Sequence, residues 1–339
     1  MSDAIVAVIG AGVIGTSIGL ALKRNENVAK LIVHDKEPAH TRQAMKMGAF
    51  DQSEWNLINA TEPADLIILA IPSPEIKATL EAIGPYLKQD AIISDVSESK
   101  QDILAMAGEI LPDQVHFVGG NPIVSAPPGP ENARADLFEK NLYCLTPAAG
   151  LIPEAVQLLD DLIHLIGATA YYLDPAEHDG LMSGVNLLPT LLSTALVNGV
   201  SRQPAWVEMR RLAGGLFAQV ASGASGDPDA VVNRLLANKA NTLRWLDISI
   251  EILADLKKLI DADDQEELAQ QLDDAFVTRI NWQKDFSEAR LSNLIEPLSQ
   301  TTIDEPSMFQ RMFSFGGLFK RGQKKDEVGQ EAKNTARRR

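Results

Sequence analysis

Residues 4–22 read AIVAVIGAGVIGTSIGLAL. Residues 4–9 form an apolar run of strand type, and residues 13–22 space their apolar side chains as an amphipathic helix does. Gly10, Gly12 and Gly15 stand between and just beyond them, so the order is strand, glycine turn, helix. Gly10 can take the positive φ of a tight turn. Gly12 has no side chain to block a pyrophosphate, and Gly15 lets the helix lie close on the strand. Val13 and Ile14 open that helix, whose free N–H groups and positive dipole end would face the phosphates. A second strand over residues 30–34 ends at Asp35, 20 residues past Gly15. An acid at that place accepts hydrogen bonds from the adenosine ribose and repels a 2′-phosphate. NAD is therefore the expected cofactor, with NADP left open because Lys36 and Arg42 lie nearby in sequence.

Outward from this turn, residues 1–149 alternate strand and helix patterns. Strands are expected over 66–70, 91–95, 116–120 and 142–146, and helices over 38–47, 76–87 and 99–110. Such alternation predicts an α/β, Rossmann-type doubly wound sheet, mainly parallel. Ligands in these sheets sit at the carboxyl ends of strands. Gly10, Asp35, Pro72, Asp95 and Asn121 all fall at or just past such ends. From residue 150 the pattern changes, with a helix over 153–166 and a short extended piece over 169–173. Helical spacing then continues over 178–200, 204–221, 227–259 and 264–293. Residues 150–298 read as an all-α substrate and dimerisation domain, and 299–339 as a basic tail. The helix over 181–197 is apolar on more than one face and needs cover, which predicts a homodimer.

The chain has 339 residues and a net charge of −15, which argues against a nucleic-acid-binding body. The charge is uneven: residues 320–339 hold eight Lys or Arg against three Asp or Glu. That segment lacks apolar residues to bury and is expected to be solvated. No apolar run approaches the roughly 20 residues of a membrane span, so no membrane association is expected. The first strand starts almost at once, so no secretory signal is expected either. The single cysteine, Cys144, lies in an apolar stretch, cannot form an internal disulfide, and fits a reducing, cytoplasmic setting. No metal-ligand constellation stands out.

A set of further segments follows the glycine turn in order: DLIILAIP (65–72), DVSESK (95–100), GGNP (119–122), DLFEKNLYCLTP (136–147), EHDGLMSGVNLLP (177–189), SGDPDAVVNRLLANK (225–239) and AFVTRINW (275–282). Together they resemble the prephenate/arogenate dehydrogenase family over residues 4–282. The resemblance implies an NAD(P)-dependent oxidoreductase of tyrosine biosynthesis. Such an enzyme oxidises a cyclohexadienol carboxylic acid, loses CO2, and passes a hydride to the nicotinamide. The substrate hydroxyl must release its proton, usually to a histidine in a Ser-His-Leu-Pro-His segment. Here residues 186–190 are Asn-Leu-Leu-Pro-Thr, with Leu187 at the histidine position. The family's His-Pro-Met is Asn121-Pro122-Ile123. Its substrate arginine has no counterpart among Gln219, Val220, Ala221 and Ser222, and Lys239, Arg244, Arg210 or Arg211 are the candidate replacements.

The site expected from this pattern uses Asn121 and Asn186 to orient the hydroxyl while water takes the proton. Ser97 reaches the nicotinamide or substrate. Gly10, Gly12, Val13, Ile14, Gly15, Asp35, Ala70, Pro72 and Asp95 hold the cofactor. Glu98 has two readings, a negative charge brought towards an acidic substrate and a solvated loop acid. His178 has two readings, a packing or capping residue and a replacement proton acceptor. Two other functions stay open: a dehydrogenase for another hydroxy acid, and an NAD-binding protein without chemistry.

Overall fold

β1 (Ile5–Ile9) is a run of five apolar residues, buried from Val6 onward, and α1 (Val13–Lys23) follows the glycine turn directly. The computed structural model describes residues 4–25, 30–148 and 150–287. The chain continues through β2 (Lys30–His34), α2 (Pro38–Lys46), β3 (Gln52–Ser53), α3 (Leu57–Thr61), β4 (Leu66–Leu69), α4 (Ser73–Ile83), β5 (Ile92–Asp95), α5 (Gln101–Ile110) and β6 (His116–Pro122). Then come β7 (Leu142–Pro147), α6 (Pro153–Leu165) and β8 (Thr169–Tyr172). The eight strands form one sheet in the order β3-β2-β1-β4-β5-β6-β7-β8. All neighbours are parallel except β6 and β7.

Alternate residues of each strand feed opposite faces, as the pleat requires. Val6, Val8, Leu66 and Ile68 pack with Ile18, Leu22, Leu158 and Leu162 on one face. Ala7, Ile9, Ile67 and Leu69 pack with Ile76, Leu80, Ile83 and Ile103 on the other. Both faces are covered by helices, which is why the central strands read as continuous apolar runs rather than alternating ones.

The α/β unit reaches further than the pattern change at residue 150 suggests. β8 pairs in parallel with β7 and α6 packs on that sheet, so the extended piece at 169–173 belongs to the nucleotide side. The all-helical part begins with α7 (Pro175–Met182), capped by Asp174, whose Oδ1 accepts from the Ala176 amide at 2.8 Å. A π-helical turn, Ser183–Leu187, joins α7 to α8 (Leu188–Ser201). Pro189 has no N–H to donate back along the helix, and a π turn is one way to absorb that break. The rest is α9 (Trp206–Leu212), α10 (Gly215–Ala221), α11 (Pro228–Ala237), α12 (Lys239–Asp261) and α13 (Gln265–Ser287). The last residues of the helix expected over 264–293, and the basic tail at 299–339, lie outside the described residues.

Contrary to the sequence expectation, one helix, Pro175–Ser201, is long and apolar enough to cross a membrane by those two criteria. Its first part is bonded to the sheet, as described below, and only 22% of its most apolar stretch is buried. α9, α10 and α11 bury no residue at all. Leu212, Leu216, Leu236, Ile250, Leu253, Ile260 and Phe276 are exposed. A helical layer with this much apolar surface needs a further surface to cover it.

Candidate active site

The glycine turn has the geometry its sequence implies. Gly10 has φ +104°, and a Cβ there would lie 2.2 Å from the Ala70 carbonyl oxygen. A Cβ on Gly15 would lie 2.0 Å from the Gly10 carbonyl oxygen. Gly12 differs: a Cβ there would meet nothing within 4 Å. Two glycines therefore permit close packing, and the third faces open space at the start of α1. The amides of Val13, Ile14 and Gly15 belong to the first turn of α1, which has no intrahelical acceptors for them. This opening fits a dinucleotide pyrophosphate.

Asp35 follows β2 and is held firmly beside the turn. Its Oδ2 accepts from the Ala11 amide at 2.7 Å and its Oδ1 from the Glu37 amide at 2.7 Å. Each carboxylate oxygen retains a lone pair for a ribose hydroxyl. Lys36 is drawn away to Glu75 at 2.5 Å. Ala70 backs the glycine turn, and Pro72 begins the wall of a cleft of 410 Å³.

At β5 the polar side chains are tied to one another. The Asp95 side chain is fully buried and turned inward. Its Oδ1 accepts from the Gly120 amide at 3.1 Å, and its Oδ2 accepts from the Ser97 amide at 3.1 Å, the Ser97 hydroxyl and the Lys100 ammonium. Lys100 is fully buried too, and also donates to the Gly120 carbonyl at 2.7 Å and Ser97 Oγ at 3.2 Å. Burial pushes the Lys100 ammonium below its ordinary pKa, and the Asp95 carboxylate works against that shift. Asp95 and Ser97, expected to touch cofactor and substrate, bond within this internal knot, and Ser97 also lines the cleft. What they do is set the shape of the loop at residues 96–99.

A second polar chain joins the helical layer to the sheet. Asn121, near the end of β6, places Nδ2 3.0 Å from His178 Nε2. His178 Nδ1 lies 2.9 Å from Asp179 Oδ1. Asp179 in turn accepts from the Lys100 amide at 2.8 Å and the Gln101 amide at 3.0 Å, capping α5. With Asn121 donating, His178 accepts at Nε2, carries its proton on Nδ1 and donates that N–H to Asp179 Oδ1. His178 is completely buried. Of its two readings, the geometry supports packing: its acceptor nitrogen is already used by Asn121.

Asn186 does not join this group. It sits half-buried on the π turn, about two helical turns past His178, with its carbonyl accepting from Thr190 Oγ1 at 3.1 Å. Leu187 is buried. Cys144, buried beside the Lys100 knot, has its thiol pushed up to about 11 by burial. Among the described residues no group of three or more His, Cys, Asp or Glu is placed to hold a metal ion.

The candidate cations distribute unexpectedly. Arg211 pairs with Glu208 on the exposed α9, Arg244 lies over the Trp245 ring at 5.0 Å, and Lys239 and Arg210 are exposed. Arg234 on α11, not among the candidates, reaches the cleft instead and bonds Glu98 Oε2 through Nη1 at 2.8 Å. Its position after Val231-Val232-Asn233 gave only a helix signal, and nothing local in sequence pairs it with an acid 136 residues away.

Comparisons with known proteins give the chain its family. The family description "Prephenate dehydrogenase, nucleotide-binding domain" matches residues 18–172, and "Prephenate dehydrogenase, dimerization domain" matches residues 174–274. The chain is 30% identical over 271 residues to a prephenate dehydrogenase of Bacillus subtilis (strain 168), covering 79% of this chain and 73% of that one. It is 26% identical to a cyclohexadienyl dehydrogenase of Zymomonas mobilis, covering 75% of this chain and 86% of the relative. Among solved structures, prephenate dehydrogenase from A. aeolicus in complex with hydroxyphenyl propionate and NAD+ superposes with a TM-score of 0.78 at 25% identity, covering 83% of this chain and 99% of that one. Arogenate dehydrogenase of Synechocystis gives 0.72 at 26% identity, over 82% and 99%. With both family domains matched in order over most of its length, the chain belongs to the prephenate dehydrogenase family.

Proposed function

We propose that the chain is an NAD-dependent oxidoreductase that converts a cyclohexadienol carboxylic acid of the prephenate–arogenate type to the corresponding phenol and CO2. The observation that carries the reading is the open face of Gly12 beside an Asp35 carboxylate pinned to the Ala11 amide. Gly10, Gly12, Val13, Ile14 and Gly15 hold the pyrophosphate, Asp35 the adenosine ribose, and Ala70 and Pro72 the wall next to it. NAD is preferred to NADP because Asp35 opposes a 2′-phosphate and Lys36 is engaged by Glu75. A bound nicotinamide supplies the acceptor for the substrate hydride.

The protein's own residues orient the substrate and leave the proton to water. Asn121 commits Nδ2 to His178, which leaves Oδ1 to accept a hydrogen bond from the reacting hydroxyl. An amide cannot take that proton away, so turnover runs without a general base, at a cost of about 10²- to 10⁴-fold. Positioning still supplies rate. The exposed apolar surface of α8–α13 and the match to a dimerization domain support a homodimer. A cytoplasmic setting accompanies the reading.

The test has two steps on the purified full chain. NADH titration by calorimetry is expected to show saturable binding, tighter than for NADPH. Steady-state assays with prephenate and arogenate, each with NAD, are expected to show slow NADH formation. Binding without turnover on either substrate would reduce the chain to a dinucleotide-binding protein, and no binding at millimolar NADH would remove the reading altogether.

A further inference from the structure

The hydrogen bonds that run from Asp179 through His178 to Asn121 have a direction, and the Asp179 end sets it. The Lys100 and Gln101 amides converge on the Asp179 carboxylate at 2.8 and 3.0 Å. A main-chain N–H only donates, so Asp179 acts as an acceptor. His178 therefore gives it the Nδ1 proton, and Nε2 is left to accept. Asn121 answers with its NH2 group at 3.0 Å, which puts Oδ1 on the far side of the amide from the ring. The joint is held from the helical side as well. Asn238 Nδ2 donates to the Asp179 carbonyl at 2.6 Å, and Trp245 Nε1 donates to the Gly180 carbonyl at 3.0 Å. His178 is completely buried and Asn121 is 2% exposed. Asn121 Oδ1 takes no hydrogen bond among the described residues, and it is not one of the sealed unpartnered atoms, which are Ser99 Oγ, Thr146 Oγ1 and Arg234 Nε. It is the open end of the chain.

Resting on the function proposed above, we infer that Asp179 and His178 are positioning residues: they turn Asn121 acceptor-first towards the reacting ring, so that the site selects a ring bearing a hydroxyl donor. An asparagine free to turn presents either end of its amide, and a ring substituent without a proton would suit its NH2 group. An asparagine fixed from behind presents only oxygen. A hydroxyl donates to it, whereas a substituent without a proton meets it lone pair against lone pair, which selects by repulsion. The same bond strengthens as hydride loss makes the hydroxyl more acidic, so it favours the transition state over the ground state. His178 takes no proton from the substrate and acts only through Asn121.

The test reads binding and the ring proton separately, on the full chain. Calorimetry with saturating NAD compares 3-(4-hydroxyphenyl)propionate with 3-(4-fluorophenyl)propionate, which has a similar outline and no proton to give. The parent is expected to bind the phenol roughly fivefold or more tighter, the worth of about one neutral hydrogen bond. His178→Phe keeps a ring of similar bulk but cannot accept from Asn121, and the preference is expected to fall below about twofold. In His178→Gln, Asp179 accepts only from the amide nitrogen, which turns the glutamine oxygen to Asn121, so the preference is expected to survive. A role in packing alone would make the Phe variant the better of the two. Both variants are checked by melting temperature. Should either fail to fold, the parent still decides: ¹⁵N–¹H correlation of the histidine rings, five in the chain, is expected to show the His178 proton on Nδ1. A proton on Nε2, equal affinity of the parent for the two acids, or an undiminished preference in His178→Phe would each overturn the positioning chain. If NADH fails to bind, the underlying function fails. If NADH binds and the two acids do not differ, only the positioning fails.

Discussion

The two ends of the sheet's carboxyl edge are built on different physics. At the proposed dinucleotide end, recognition would rest on main-chain amides and on the absence of side chains, with Asp35 as the single side-chain anchor. At the reacting end it rests on side chains that bond one another: Asp95, Ser97 and Lys100 in one knot, and Asn121, His178 and Asp179 in another. The first arrangement depends on backbone geometry, which survives most substitutions. The second depends on identities, and a single change within either group alters what it can do. A family member can therefore keep its cofactor site intact while its chemistry shifts.

The sharpest way to break this contrast is to remove a buried partner at the reacting end. Lys100→Met leaves Asp95 buried without its cation and is expected to cost about 3–5 kcal/mol, measured by chemical denaturation. A loss under 1 kcal/mol would show that the knot adds little. Gly15→Ala tests the packing glycines at the other end. Its Cβ would stand 2.0 Å from the Gly10 carbonyl, and overpacking of that kind costs about 3 kcal/mol. An unchanged melting temperature would contradict the close contact.

The chemical side of the contrast is sharpened by a gain of function. Asn121→His places a titratable ring against the His178–Asp179 pair, where it can accept the substrate proton. The expected result is a rise in kcat of about 10²-fold, with a limb in the pH–rate profile that the parent chain lacks. A folded variant with the parent's rate would rule out the missing base as the cause of slow turnover. Gly12→Ala adds a methyl group in open space, so the melting temperature should hold. NADH affinity should fall roughly tenfold, the worth of about one hydrogen bond.

The smallest effect lies away from both ends. On α6 the Asp160 carboxylate, through a hydrogen bond, lifts the His164 imidazole to about 9. The folded value is raised, so the contribution to stability is fully present below about pH 6.5 and is lost as pH rises through 9. The group is half-exposed, which limits the contribution to under about 1 kcal/mol. His164→Gln should lower stability at pH 6, match the parent near pH 10, and leave NADH affinity unchanged.

The cofactor end was legible because its signals are local. Glycine spacing, the apolar strand before it and the acid after β2 all sit within 35 residues. The reacting end was legible only in part. The motif DVSESK marks Asp95 to Lys100, but no sequence signal says that Lys100 is fully buried. Asn121 and His178 meet across 57 residues, and Glu98 meets Arg234 across 136. Such pairs are decided by how α7 and α11 lie on the sheet. β8 was seen as an extended piece, but four residues at a sheet edge carry no mark of which layer they join.

The π turn at Ser183–Leu187 has a consequence for aligning this chain with its relatives. Widening one turn by a residue rotates everything downstream by about 100° around the axis. A hydrophobic stripe drawn straight from His178 to Ser201 is therefore out of phase beyond Leu187. The segment that bonds to the sheet and the segment that presents apolar surface are phased independently, although they share one unbroken helix. Where a relative lacks this widened turn, gap-free matching of residues across the joint pairs positions that point in different directions, and the counterpart of its side chain is better sought by direction in space than by count along the chain.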